Sequence, residues 1–162
     1  MNECWNFFKY ASLNELDEIY DLVIKNRLWF SHLNKEHFKA KIISKECIYE
    51  SGVLITFKVI KKSTRLGTYL VRAGNTICEQ IIKNKDKSNS EFVIHVFTKF
   101  INCAPGSVYL AVNKKNIRAI AFYRDMKMNK VAITKLDYIN NNNYLEGYIY
   151  KSISRYLKEE IN

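Results

Sequence analysis

Val108-Tyr-Leu-Ala-Val112, followed by Asn113-Lys-Lys-Asn-Ile-Arg-Ala-Ile-Ala-Phe-Tyr-Arg-Asp-Met-Lys-Met128, is the stretch on which the fold turns. The unbroken apolar run predicts a strand buried on both faces. Asn116 is a good helix cap, because its side-chain oxygen can accept from a free amide of the first turn. Ala119, Phe122, Tyr123 and Met126 then recur at helical spacing and predict a helix over 116–126. A plain helix needs apolar spacing and a cap, but no hydroxyl beside its core face. Tyr123 is therefore either a packed ring with its hydroxyl at the rim or a working group.

Upstream, Thr76–Lys83 reads as a strand around Ile77, Ile81 and Ile82, and Glu91–Asn102 as a helix with a wide apolar stripe. The wholly polar Asn84–Ser90 joins them. Unpaired amides and the macrodipole make a helix start a place where an anion can dock. Lys85 and Lys87 would add charge there, and Ser88 and Ser90 are small enough for backbone to approach a ligand. The plainer alternative is a solvated turn with Ser90 as the cap of the next helix.

Elsewhere, Phe7–Tyr10 reads as a first strand. Ser12 and Glu15 fit a capping box that opens a helix over 13–26. A second helix is predicted near 34–43. Glu46–Glu50 and Val53–Ile60 read as strands joined by Ser51-Gly52. The polar run Lys61–Arg65 separates these from Gly67–Val71, and Ala73-Gly74-Asn75 makes another turn. Val131–Leu136 is a strand, Asn140–Asn143 a polar loop, and Gly147–Ile153 a last strand or helix. No solenoid repeat or dividing linker is visible, so one domain over 1–162 is expected. The order implies α/β or α+β with a mixed sheet.

The chain has 162 residues and a formal charge of +10. That charge points to an anionic partner such as nucleic acid, an acidic protein or a phosphorylated cofactor. Lysine-, isoleucine- and asparagine-rich composition from an AT-rich genome would produce the same excess. No apolar run approaches the ~20 residues of a membrane span, and the start carries no signal-peptide pattern. Cys4, Cys47, Cys78 and Cys103 are scattered and are expected to be reduced thiols in a cytoplasmic protein. His32, His37 and His95 lack metal-ligand spacing, so no metal is expected.

Together, the Asn84–Ser90 loop and the Asn116 helix resemble two motifs of the GNAT acetyltransferase superfamily. In that family a strand leads to an Arg/Gln-x-x-Gly-x-Gly/Ala loop that cradles the pyrophosphate of acetyl-CoA. A second strand leads to Asn-x-x-Ala-x-x-Phe-Tyr-x-x-x-Gly-Phe, matched here at Asn116, Ala119, Phe122 and Tyr123. Lys9-Tyr-Ala-Ser-Leu-Asn-Glu-Leu is similar to the family's opening, so the resemblance runs from about 6 to 136. Two departures stand out. The phosphate loop carries Ser88 and Ser90 where glycines are expected, and Lys127-Met128 replaces Gly-Phe.

The resemblance implies a mixed, mostly antiparallel sheet flanked by helices, with a parallel strand pair that splays apart. It implies acetyl transfer from acetyl-CoA to an amine acceptor, whether small molecule, protein or nucleobase. The pantetheine arm would pair with backbone near Ile81, Ile82 and Lys83. The pyrophosphate would sit on Lys85, Lys87, Ser88, Asn89 and Ser90. Asn116 would meet the pantetheine or order the helix start, Phe122 would meet the cofactor, Tyr123 would protonate the leaving thiolate, and Glu79 is the candidate base. The alternatives are a GNAT-like enzyme acting on nucleic acid and a catalytically silent binding module of the same fold. Acceptor-pocket candidates fall in 26–45 and 137–150, with Trp29, Phe30 and His32 among them. Oligomeric state is not encoded in any motif.

Overall fold

Helix starts are set by side chains that answer free backbone amides. Asn34 Oδ1 accepts from the His37 amide at 2.9 Å and opens α2, Lys35–Ile43. Ser12 donates its backbone amide to Glu15 Oε1 at 3.0 Å, which is one half of the expected capping box. A single 3-10 turn, Leu13–Glu15, follows it and leads into α1, Leu16–Lys25. The computed structural model describes residues 3–26, 33–136 and 145–153. The remaining elements are β1 Cys47–Glu50, β2 Val53–Val59, β3 Thr64–Leu66, β4 Tyr69–Val71, β5 Thr76–Lys83, α3 Ser90–Cys103, β6 Val108–Asn113, α4 Ile117–Asp125, β7 Asn129–Leu136 and β8 Leu145–Lys151.

Six strands follow the hydrogen-bonded order β1-β2-β5-β6-β8-β7, and β3-β4 form a separate hairpin. The main sheet is mostly antiparallel, with β5 and β6 parallel, as the GNAT resemblance implies. Their ladder pairs Thr76 with Val108 and Ile77 with Tyr109. Two compact units share the chain. One takes residues up to Phe57 plus Glu79–Cys103, and the other takes Lys58–Cys78 plus the chain from Ala104.

The first unit packs α1 and α2 on β1, β2 and the end of β5. Ile19, Leu22 and Val23 of α1 meet Phe38 and Ile42 of α2, with Cys47, Tyr49, Leu54 and Ile82 from the strands. Each fully buried Ile or Phe contributes about 1.5–3 kcal/mol by leaving water. A second cluster is aromatic: Trp5 stacks on Phe57 with centroids 5.0 Å apart, and Phe100 meets both at an angle.

Here the structure corrects the reading of Phe7–Tyr10 as a strand. Glu3–Phe7 is a 3-10 turn, and Tyr10 makes a lone bridge to Ile48. Trp5 and Phe8, three residues apart, both face the aromatic cluster, which suits a period of three; Phe7 is 72% exposed. That turn also brings Cys4 to Cys103 at the end of α3, where they form a disulfide with Cα atoms 5.5 Å apart. The expectation of four reduced thiols is therefore wrong for this pair. Their separation in sequence, 99 residues, hides a proximity made by packing.

The second unit centres on Ile60, Val71, Ile77, Tyr109 and Ile149. The polar run Lys61–Arg65 is not merely a spacer, because Thr64–Leu66 pairs with Tyr69–Val71. Gly67, at φ +61, turns that hairpin over Thr134, whose Oγ1 accepts the Thr68 amide at 2.7 Å. The last segment is a strand and not a helix, paired to both β6 and β7. The Asn140–Asn143 tract lies outside the described residues, as do Trp29, Phe30 and His32. No described helix is long and apolar enough to cross a membrane.

Protein purified without reductant is expected to expose two thiols, Cys47 and Cys78, to alkylation after denaturation, and four after reduction. In the folded protein Cys47 should resist alkylation at pH 8, because burial pushes its thiol up to about 12. Four labelled cysteines in unreduced protein would refute the pairing.

Candidate active site

The polar bend at 84–90 belongs to the first unit, and Asn84 shapes it. The Asn84 amide donates to the Gly52 carbonyl at 2.8 Å, and its carbonyl accepts from Lys87 at 3.1 Å. Its side chain accepts from the Asp86 amide at 3.1 Å and donates to the Tyr49 hydroxyl at 3.0 Å. Both backbone groups and both side-chain atoms of one buried asparagine thus hold the bend, in place of the expected glycines. Gly52 is the glycine that this loop does require. It follows Ser51 in a turn with both φ positive, as type I′ turns demand. A Cβ on Gly52 would sit 2.8 Å from Lys87 Cβ and 2.9 Å from Ser88 Cβ.

Asn89, not Ser90, caps α3. Its Oδ1 accepts from the Phe92 amide at 3.0 Å, so Ser90 is the first helical residue. The plainer alternative, a turn with Ser90 as the cap, is off by one position. One of the free amides at this helix start is thereby answered from within the chain, while those of Ser90 and Glu91 have no partner among the described residues. Lys85 is exposed, whereas Lys87 pairs with Glu18 of α1 at 2.6 Å. Ser88 is half-buried against Gly52.

On β5, Ile82 is buried in the core of the first unit, so only its backbone is available to a ligand. Ile81 and Lys83 are half-buried. Glu79 is not a solitary carboxylate, because it pairs with Lys41 of α2. The Lys41 ammonium is itself buried, donates to the Phe57 carbonyl at 2.9 Å and lies 3.6 Å from Glu46. A base at Glu79 would have to exchange this ammonium for the acceptor's proton. Lys41 carries no sequence signal, because a lysine on a helix surface is ordinarily solvated.

The second unit presents the Asn116 helix. Asn116 Oδ1 accepts from the Ala119 amide at 3.2 Å, so its side chain orders the helix start, as its residue type suggests. At the other end, Lys127 adopts φ +61. Its amide reaches Arg124 O at 2.9 Å and the Met128 amide reaches Tyr123 O at 3.1 Å, which completes a Schellman motif. Lysine thus takes the left-handed position that a glycine would fill without strain. Between these ends, the Tyr123 ring lies 5.8 Å from that of Tyr150 and 5.6 Å from that of Phe122. Burial, with a smaller contribution from Cys78, raises the Tyr123 phenol well above its ordinary value. The hydroxyl therefore keeps its proton at neutral pH.

No family model matches the sequence, and no curated protein matches it. Solved structures do resemble it. An acetyltransferase of the GNAT family from Bacillus cereus ATCC 10987 is similar at TM-score 0.63 and 14% identity, covering 89% of this chain and 94% of that one. Arabidopsis thaliana NAA60 in complex with a bisubstrate analogue is similar at TM-score 0.63 and 16% identity, over 89% and 96%. The ribosomal-protein-S18-alanine N-acetyltransferase of Escherichia coli is similar at TM-score 0.61 and 12% identity, over 89% and 90%. The fold of this chain is the GNAT acetyltransferase fold.

Two substitutions test the scaffold. Lys127→Gly is expected to stabilise the protein by about 1 kcal/mol, raising the melting temperature by about 2–4 °C. Gly52→Ala is expected to cost about 1–2 kcal/mol and to move the amide resonances of Lys87 and Ser88. An unchanged spectrum there would disprove the close packing of turn and loop.

Proposed function

We propose that this chain is an N-acetyltransferase that moves an acetyl group from acetyl-CoA to an amine by direct attack. The observation that carries this reading is Tyr123, a half-buried phenol on a helix capped by Asn116 and closed by Lys127. The α3 start, Lys85 and the polar bend would hold the pyrophosphate. The amine nitrogen attacks the thioester carbonyl carbon, and the carbon–sulfur bond breaks. The departing thiolate takes the Tyr123 proton, and the phenolate regains one from solvent. The new amide sheds its extra proton to water or to Glu79. The similar structures include the ribosomal-protein-S18-alanine N-acetyltransferase of Escherichia coli, which supports a protein amine as one class to test.

A second reading, a silent binding module of the same fold, draws on Asn89 filling part of the anion site with its own side chain. Titration calorimetry with acetyl-CoA separates the two: absence of heat at high protein concentration favours the module. The +10 charge keeps a nucleic-acid acceptor in view. Duplex affinity that does not fall with salt would exclude it, since phosphate contacts release counterions.

Thiol release from acetyl-CoA, assayed against a panel of short peptides and small amines, reads the activity. Tyr123→Phe is expected to lower kcat by about ten- to a thousandfold with the fold intact. Because burial raises the phenol, wild-type kcat should not fall through loss of this proton below about pH 10. By the same sign, the stability contributed by the protonated phenol is present below about pH 10 and is lost as pH rises beyond it. Unchanged turnover in Tyr123→Phe would remove this residue from the mechanism.

A further inference from the structure

One side-chain cluster of the first unit ties the polar bend to α1 and β1: Glu18, Tyr49, Asn84 and Lys87. Glu18 stands on α1, 69 residues before the loop lysine that it holds. Lys87 Nζ donates to Glu18 Oε1 at 2.6 Å. The ion pair depresses the Glu18 carboxyl and raises the Lys87 ammonium, each chiefly through the other. Tyr49 ties the same cluster to the bend through its hydrogen bond with Asn84. Burial first, then Glu18, pushes the Tyr49 phenol up to about 12. Glu18 Oε2 is enclosed and accepts no well-formed hydrogen bond, so the carboxylate is held in place by Lys87 more than by any other donor.

Two features make this pair more than a surface contact. The loop has just two lysines with which to meet a diphosphate, and one of them is neutralised by an acid from another element. Lysine is a point charge on a flexible stem, so it can change partners without any backbone movement. An exposed lysine–carboxylate pair shifts an equilibrium by only about two- to fivefold, so a diphosphate can displace the carboxylate. The rest of the loop need not move, because Asn84 fixes it through Gly52 and Tyr49.

We propose that Glu18 sets the affinity of this chain for the diphosphate of its acyl carrier, by occupying Lys87 until phosphate takes that ammonium in exchange. The proposal rests on the acetyl-CoA reading above and adds to it an affinity-determining residue on α1. Glu18 acts on the ligand through Lys87, and it takes no part in the acyl step.

The test is a double-mutant cycle read by calorimetric titration with CoA at fixed salt, using the full chain. Glu18→Gln is expected to bind CoA about threefold tighter or more than wild type, within the range of such pairs. Lys87→Met should bind more weakly, and Glu18→Gln should give little gain in that background. Glu18→Asp, which keeps the charge but withdraws the oxygen from Lys87, guards against a folding defect and should also tighten binding. If wild type binds CoA and Glu18→Gln binds no tighter, the proposal falls and the acyl-transfer reading stands. An equal gain with and without Lys87 also overturns it, since Glu18 would then act by bare charge. If none of the variants nor wild type binds CoA at millimolar concentration, the acetyl-CoA reading fails and takes this proposal with it.

Discussion

Asn84 is the residue on which the candidate phosphate loop depends. A bend between strand and helix leaves backbone groups that must find partners, and glycine usually relieves the steric side of that problem. Here a single asparagine answers them. It donates backward to the Gly52 carbonyl, closes an Asx-type turn on Asp86 and reaches Tyr49. The requirement for glycine has moved to the facing turn, where Ser51-Gly52 must lie within touching distance of Lys87 and Ser88. A loop without glycine can therefore still be stiff, and stiffness is what a site needs if binding is not to be spent on ordering it.

The helix that carries Tyr123 is held by the same kind of local chemistry. Asn116 closes its start and Lys127 accepts a left-handed backbone to close its end. The strain at Lys127 is tolerated because the two hydrogen bonds of the Schellman motif and the burial of Met128 compensate for it. What the arrangement supplies is a phenol at a fixed place in a helix of only 9 residues. Half-buried beside Phe122 and Tyr150, that phenol holds its proton above the ordinary value for tyrosine.

Most elements were legible from residue pattern. Helical spacing located α1 and α4, alternation and turn residues located β1, β2 and β5, and Asn34 and Asn116 announced their own caps. The failures share one cause. Phe7–Tyr10 has the composition of a strand, yet its aromatic residues turn by threes because the cluster around Phe57 and Phe100 receives them that way. Thr64–Leu66 looked like a spacer because its partner strand and the threonine that supports its turn come from elsewhere in the chain. Cap position at Asn89 was missed by one residue, since Asn89 and Ser90 are equally good by type.

By itself the sequence determined local matters: which segments are helix or strand, where caps and turns fall, and which tyrosine stands out of place on its helix. These follow from interactions spanning a few residues, which the order of side chains encodes directly. Only the tertiary structure decided the pairings across long separations: Cys4 with Cys103, Glu79 with Lys41, Lys87 with Glu18, and Gly52 beneath the polar bend. Such contacts depend on where whole elements come to rest, and that is fixed by the burial of apolar faces and not by the charged or thiol groups that meet as a result.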